Sequence, residues 1–225
     1  MPGNGPTEVV EQCVWLGPAP VNQNGEAYEG SQHLPNLRAI GITHIVNCTP
    51  EVPFPTSVQL GLAEGVEVGQ FRVAVEDIDS AAVELDCYFD TAVVFMREAV
   101  QGGGRVYVHC ETGKSRSATV VLAYRVSCRG ESLRDAYNAT KARRDYIQPK
   151  PAFFNKLVAR EPGWTGGEPS FSASEYALLY LLDQFSPLMW VDGITEESIR
   201  AAFAEAGEDA EAAHAKLTAV INANM

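Results

Sequence analysis

The chain has 225 residues, of which 46% are hydrophobic and 20% are charged, a composition typical of a folded globular protein. Its net charge of −12 argues against the clustered positive surface that nonspecific nucleic-acid binding needs, so we expect no nucleic-acid partner. The N-terminus has no secretory signal pattern, and no window approaches the roughly 18 continuous apolar residues of a membrane span, so we expect a soluble protein without membrane insertion.

Five cysteines are scattered along the chain without the CxxC spacing of a zinc site or the pattern of a disulfide framework. Free thiols are typical of a reducing compartment, so we expect a cytoplasmic or nuclear protein. Most of the acidity lies at the C-terminal end. Residues 1–160 carry 18 acidic and 15 basic side chains, whereas residues 161–225 carry 11 acidic and 2 basic ones.

In residues 1–160, short β-branched runs alternate with longer amphipathic segments, the pattern of an α/β fold. The strands predicted in chain order are 13–16, 44–47, 71–75 and 106–109. The helices predicted in chain order are 34–40, 88–100, 118–126, 133–143 and 151–158. We therefore predict one α/β domain in this part of the chain.

Residues 161–170 contain two prolines and three glycines, which break regular structure, so we predict a linker there. Beyond it, the sequence predicts a small all-helical extension over residues 171–225. Ser172 and Thr195 have the hydroxyl and following carboxylates of helix starts, and a third helix is predicted over 209–221. These acidic helices are a candidate docking site for a protein partner.

The stretch "VYVHCETGKSRS", residues 106–117, holds the strongest chemical signal. Its Gly-Lys-Ser is typical of a nucleotide-binding loop, but that loop also needs a glycine five positions before Gly113. Val108 occupies that position, which excludes this interpretation. What remains is a cysteine at the end of a strand, followed six residues later by an arginine at the start of a helix.

Each residue type in this loop suits the cleavage of a phosphate ester. Cys110 follows a predicted strand and precedes a predicted helix, and the N-terminus of a helix binds anions and stabilises a thiolate. Arg116 offers a planar fork that can hold two phosphate oxygens. Gly113 allows a tight turn. We therefore predict a cysteine nucleophile within a phosphate-binding loop.

Further side chains in and near the loop have predicted roles. Ser115 and Ser117 can hydrogen-bond the sulfur, and His109 can orient the cysteine through backbone contacts without acting as the base. The mechanism also needs an acid that protonates the leaving group. Asp77 and Asp79 follow the predicted strand 71–75, and either can supply that proton.

The runs "CVWLGPAP", "GITHIVNCTPE", "VAVED", "GGGRVYVHCETGKSRSATVVLAYRV" and "KARRDYIQPKPAFFNKL" together resemble the dual-specificity phosphatase family of cysteine-dependent phosphatases. The resemblance implies a catalytic domain over residues 8–160, with a central mixed sheet flanked by helices. It implies a phospho-cysteine intermediate at Cys110, phosphoprotein substrates, and no metal or other cofactor. Keeping the "VED" motif together favours Asp77 over Asp79 as the acid.

The resemblance further implies that the loop from Glu111 to Arg116 binds the substrate phosphate through Glu111, Thr112, Gly113, Lys114, Ser115 and Arg116. The charges of Glu111 and Lys114 depart from the pattern of many protein-directed relatives. We expect hydrolysis of phosphotyrosine, and of phosphoserine and phosphothreonine. The alternatives are a phosphatase for a non-protein phosphate such as a phosphoinositide, and a phosphate-binding module without turnover.

Two smaller predictions concern residues outside the loop. Arg143 and Arg144 are expected to form an ion pair near a helix end, with a secondary anion site as the alternative. Cys48 or Cys87 could protect Cys110 as a reversible disulfide, provided that one of them lies beside it.

Overall fold

The computed structural model describes residues 5–224, which divide into two compact units at Ser170 and Phe171. The first unit contains a five-stranded sheet with the order β1-β2-β5-β3-β4. Its strands are β1 (Thr7–Val10), β2 (Val14–Gly17), β3 (His44–Asn47), β4 (Gly69–Arg72) and β5 (Val106–His109). Only β1 runs antiparallel to its neighbour, so the sheet is mixed. This confirms the predicted fold class.

The central strand β5 is buried along its whole length, as the near-continuous apolar run Val106 to Val108 predicts for an interior parallel strand. Because β3, β4 and β5 are parallel, their carboxyl ends lie at one edge of the sheet, where Asn47 pairs with both His109 and Arg72. This edge brings together the loops that follow the three strands.

Two strands were predicted at their observed positions, 44–47 and 106–109. The structure places β2 one residue later than predicted, and β4 begins two residues before its predicted start. Val73, just after β4, extends its pairing with β3 by one backbone hydrogen bond, from its amide to the Asn47 carbonyl. Strand β1, a half-buried edge strand of four residues, was not predicted from the sequence.

The helices of the first unit are α1 (His33–Ile40), α2 (Ala82–Gln101), α3 (Arg116–Arg129), α4 (Leu133–Arg143) and α5 (Pro151–Thr165). The prediction for α4 is confirmed, including its start, where Ser132 accepts a hydrogen bond from the Asp135 amide. Helix α2 begins six residues before its predicted start, directly after a 3₁₀ turn at Asp79–Ala81.

The prediction that residues 161–165 lie outside regular structure is wrong, because α5 continues to Thr165 with Pro162 inside it. Glu161 explains why this segment stays with the first unit. Its buried carboxylate accepts hydrogen bonds from the amides of Leu133, at 2.7 Å, and Ser170, at 2.8 Å. These bonds connect both ends of the predicted linker to the α/β unit.

The second unit, from Phe171 onwards, has its own hydrophobic core. It contains α6 (Ala173–Phe185), a 3₁₀ turn (Ser186–Leu188), α7 (Glu196–Glu205) and α8 (Ala210–Asn224). Ser172 and Thr195 cap α6 and α7 as the sequence predicts. No helix within residues 5–224 combines the length and apolar character needed to cross a membrane.

Candidate active site

The loop from Cys110 to Ser115 joins the carboxyl end of β5 to the N-terminus of α3. Gly113 adopts a positive φ of 71°, and a side chain there would collide with the backbone of Gly17 at the end of β2. Only glycine therefore allows the loop to turn this close to the sheet.

Cys110 is fully buried, and its Sγ atom accepts two hydrogen bonds. The Gly113 amide lies 3.3 Å from the sulfur and the Ser117 hydroxyl 3.2 Å from it. Two hydrogen-bond donors and the positive end of the α3 dipole therefore face the sulfur. The arrangement suits a sulfur nucleophile.

Four successive carbonyl groups of the loop point away from its concave side. The Glu111 carbonyl accepts from the Ala19 amide at 3.0 Å, and the Lys114 carbonyl accepts from the Gln148 amide at 2.8 Å. Between them, the Thr112 and Gly113 carbonyls accept from a buried arginine. The scaffold therefore binds the carbonyls from outside the loop, an arrangement that suits anion binding by the amides on the opposite side.

Arg144 is that arginine, and its role was not predicted from the sequence. Only 1% exposed, it donates from Nε to the Gly113 carbonyl at 3.1 Å and from Nη2 to the Thr112 carbonyl at 3.3 Å. Its Nη1 donates to the Thr7 hydroxyl at 2.9 Å. Arg144 thus supports the loop from behind, a role beyond the helix-end ion pair and the secondary anion site considered from the sequence. Arg143 is exposed.

Arg116 begins α3 and is only 4% exposed. Nη1 donates to the Val75 carbonyl at 3.0 Å, and Nη2 lies 3.9 Å from the Glu111 carboxylate. Nε is buried and has no hydrogen-bond partner among residues 5–224. A buried donor without a partner is costly, and a bound anion would satisfy it.

Asp77 and Asp79 occupy different surroundings. Asp77 accepts a 2.8 Å hydrogen bond at Oδ1 from the Ser115 hydroxyl, and its Oδ2 lies 3.9 Å from Nε of Arg116. Asp79 instead begins the 3₁₀ turn, with its carboxylate 3.7 Å from Nζ of Lys150. The structure therefore brings Asp77, and not Asp79, into contact with Ser115 and Arg116. Ser115 bonds Asp77, so the prediction that it bonds the sulfur is wrong.

His109 is buried with its ring stacked on Tyr107, and burial lowers its pKa to about 4, with Arg72 and Arg116 adding to the effect. The ring is therefore neutral at physiological pH. Its Nδ1 lies 3.3 Å from the Cys110 carbonyl, which can only accept, so Nδ1 carries the proton. His109 holds the backbone of the cysteine, in line with its predicted supporting role.

The remaining loop side chains, Glu111, Thr112 and Lys114, are exposed at the rim.

Of the two thiols considered as partners of Cys110, Cys48 follows β3 at the same edge of the sheet, and its amide donates to the His109 carbonyl at 2.7 Å. Burial, with Cys110 adding to it, raises the pKa of Cys48 well above its usual value. Cys87 is exposed on α2.

Residues 26–162 match the family model described as "Dual specificity phosphatase, catalytic domain". The chain belongs to the dual-specificity phosphatase family. Among its curated relatives, dual specificity protein phosphatase 26 of Rattus norvegicus is 34% identical over 160 residues, covering 67% of this chain and 72% of that protein. Dual specificity protein phosphatase 2 of Homo sapiens is 35% identical over 134 residues, covering 58% of this chain and 38% of that protein.

Solved phosphatase structures are similar to the same part of the chain. Human DUSP28 superposes with a TM-score of 0.57 at 29% identity, covering 72% of this chain and 96% of the other. A mouse putative dual specificity phosphatase superposes with a TM-score of 0.59 at 27% identity, covering 73% and 91%. The family implies phosphoprotein substrates. The loop and its neighbours, residues 109–117 and Asp77, lie within the matched region.

Proposed function

We propose that the protein is a cysteine-dependent phosphatase that hydrolyses phosphotyrosine, and also phosphoserine and phosphothreonine, on proteins. The observation that carries the proposal is the convergence of three groups on one loop. These are the Cys110 sulfur with its two hydrogen-bond donors, the buried Nε of Arg116, which has no hydrogen-bond partner within residues 5–224, and the Asp77 carboxylate. Nucleophile, anion-binding donor and acid are the groups that phosphate-ester cleavage through a covalent intermediate requires.

In the first step, the Cys110 thiolate attacks phosphorus and forms an S–P bond while the P–O bond to the leaving group breaks. Arg116 and the loop amides hold the phosphoryl oxygens. Asp77 donates a proton from Oδ2 to the departing oxygen. Oδ1 accepts a hydrogen bond from Ser115, whereas Oδ2 lies on the side of Arg116, where the phosphoryl group is held.

In the second step, Asp77 accepts a proton from water as the water oxygen attacks phosphorus. The S–P bond breaks, the thiolate re-forms, and inorganic phosphate leaves. The Ser117 hydroxyl, 3.2 Å from the sulfur, stabilises the returning negative charge. Because this cycle needs a reduced sulfur, we further propose a cytoplasmic or nuclear location.

The test is turnover of an aryl phosphate by the wild type, the Cys110→Ser variant and a Cys87→Ser control. We expect Cys110→Ser to lose turnover while binding orthovanadate or phosphate, and Cys87→Ser to match the wild type. Rapid acid quenching should trap a phosphorylated protein in the wild type and in Cys87→Ser, but not in Cys110→Ser. Wild-type turnover by Cys110→Ser would overturn the mechanism. Absence of turnover in the wild type would leave the phosphate-binding module as the function.

A phosphoinositide phosphatase is the second candidate, since Lys114 offers an exposed cation at the rim. Against it, the Glu111 carboxylate lies 3.9 Å from Arg116 and repels additional phosphates. Comparison of phosphopeptides with phosphoinositide vesicles at equal concentration separates the two. A kcat/KM at least about tenfold higher for the lipid would favour the second candidate, and this ratio corresponds to about 1.4 kcal/mol.

A further inference from the structure

The segment that carries the proposed acid, residues 76–80, is fixed to the rest of the protein on two sides. Directly before the segment, the Val75 carbonyl accepts a hydrogen bond from Nη1 of Arg116 at 3.0 Å. Within the segment, the Asp79 carboxylate lies 3.7 Å from the ammonium group of Lys150. Asp77 lies between these two attachments, so its position depends on both.

Lys150 also contacts the acid through a second route. Its backbone amide donates to the Ser115 hydroxyl at 3.3 Å, and the same hydroxyl donates to Oδ1 of Asp77 at 2.8 Å. A serine hydroxyl has one proton. The Ser115 oxygen accepts a hydrogen bond from the Lys150 amide, and the single hydroxyl proton is donated to Asp77.

The backbone of Lys150 is held independently of these contacts. It is the N-cap of α5, and its carbonyl accepts from the Phe154 amide at 2.9 Å. Two residues earlier, the Gln148 amide donates to the Lys114 carbonyl of the phosphate loop at 2.8 Å. The start of α5 is therefore fixed to the phosphate loop, and the Lys150 side chain extends from it to the segment of the acid.

We propose that Lys150 is a positioning residue for the general acid. Its ammonium group holds Asp79, and its amide orients the hydroxyl that binds Asp77, so that residues 76–80 stay over the phosphate loop during proton transfer. The inference rests on the proposed function and adds to it the residue that sets the acid in place.

The expected effect is moderate, because the ion pair is partly exposed: 31% of the Lys150 side chain and 64% of the Asp79 side chain are accessible to solvent. Exposed pairs contribute up to about 1 kcal/mol. A loss of this size lowers the rate about two- to fivefold.

The test compares Lys150→Met with Lys156→Met, a control on the same helix that removes a lysine away from Asp79. Each variant is assayed with phenyl phosphate, whose leaving group needs a proton, and with dinitrophenyl phosphate, whose leaving group does not. We expect Lys150→Met to lower kcat/KM about two- to fivefold for phenyl phosphate and to leave the value for dinitrophenyl phosphate unchanged. Lys156→Met should match the wild type with both.

Two further measurements separate positioning from a general structural effect. The double variant Lys150→Asp/Asp79→Lys, which exchanges the two charges, should recover at least half of the activity with phenyl phosphate that Lys150→Met loses. At about 1 M salt, where the Debye length is about 3 Å, the wild type should approach Lys150→Met. Melting temperatures of all variants establish that they fold.

Equal losses with both substrates, or wild-type activity of Lys150→Met with phenyl phosphate, would overturn the inference. The failure of the proposed function looks different, because then Cys110→Ser would keep its turnover. If Cys110→Ser is inactive and Lys150→Met shows no preference for one leaving group, only the role of Lys150 is rejected.

Discussion

Replacing each aspartate by asparagine tests which one is the acid. Asp77→Asn keeps the shape of the side chain and can still accept the 2.8 Å hydrogen bond from Ser115 at Oδ1. It puts an amide at the position of Oδ2, which cannot supply an acidic proton. General acid–base catalysis contributes about 10²- to 10⁴-fold. We therefore expect kcat/KM for phenyl phosphate to fall at least about 100-fold, or about 2.7 kcal/mol.

Asp79→Asn removes only the partly exposed ion pair with Lys150, 3.7 Å long. Its expected cost is at most about 1 kcal/mol, or about fivefold. The two variants should thus differ about 20-fold or more in kcat/KM. The assay is steady-state turnover of each substrate at fixed pH, first with phenyl phosphate and then with dinitrophenyl phosphate. Because the leaving group of dinitrophenyl phosphate needs no proton, Asp77→Asn should regain much of its activity with that substrate.

The reasoning would be refuted by a larger loss in Asp79→Asn than in Asp77→Asn, which would transfer the acid to Asp79. It would also be refuted if both variants kept wild-type rates with phenyl phosphate, since then neither aspartate donates the proton.

Three further predictions concern the support of the loop. Gly113→Ala should lower the free energy of unfolding by about 2–4 kcal/mol, since alanine is strained at the φ of 71° and its Cβ would meet Gly17. The control is Gly103→Ala, which has a φ of 77° and open space around it and should cost only about 1–2 kcal/mol. Equal losses of the two variants in urea titrations would contradict the steric argument. Arg144→Met should cost about 3 kcal/mol and raise KM, because two loop carbonyls lose a charged donor, and an unchanged KM would contradict that role. The pKa of His109 is about 4 in the folded protein, below the ordinary 6.5, so the unfolded chain binds more protons between these two pH values. The free energy of unfolding should therefore fall by about 3 kcal/mol from pH 6.5 to pH 4. His109→Asn should lack this part of the pH dependence.

The part of the site that the sequence predicted is local. Cys110 and Arg116 lie six residues apart between a strand and a helix, so the residue types and their spacing already determine that both line one loop. The strand 106–109 was predictable for a similar reason, because a fully buried parallel strand must be apolar over its length.

The choice between Asp77 and Asp79 could not be made in this way. Both follow the same strand, and the difference between them arises from partners that lie far along the chain, Ser115 for one and Lys150 for the other. Helix α5 gives a second example. Pro162 costs about 3 kcal/mol inside a helix, and the tertiary hydrogen bonds of Glu161 help to offset it.

The direction of the loop amides is the property that links these distant contacts to catalysis. A Cys-x5-Arg motif supplies the residue types, but its amides converge on an anion only if its carbonyls are bound elsewhere. In this protein Ala19, Arg144 and Gln148 bind four of them, from segments up to 92 positions before and 34 positions after the loop residues that they contact. Phosphate affinity should therefore respond to changes at Arg144, although Arg144 lies behind the loop and touches no substrate.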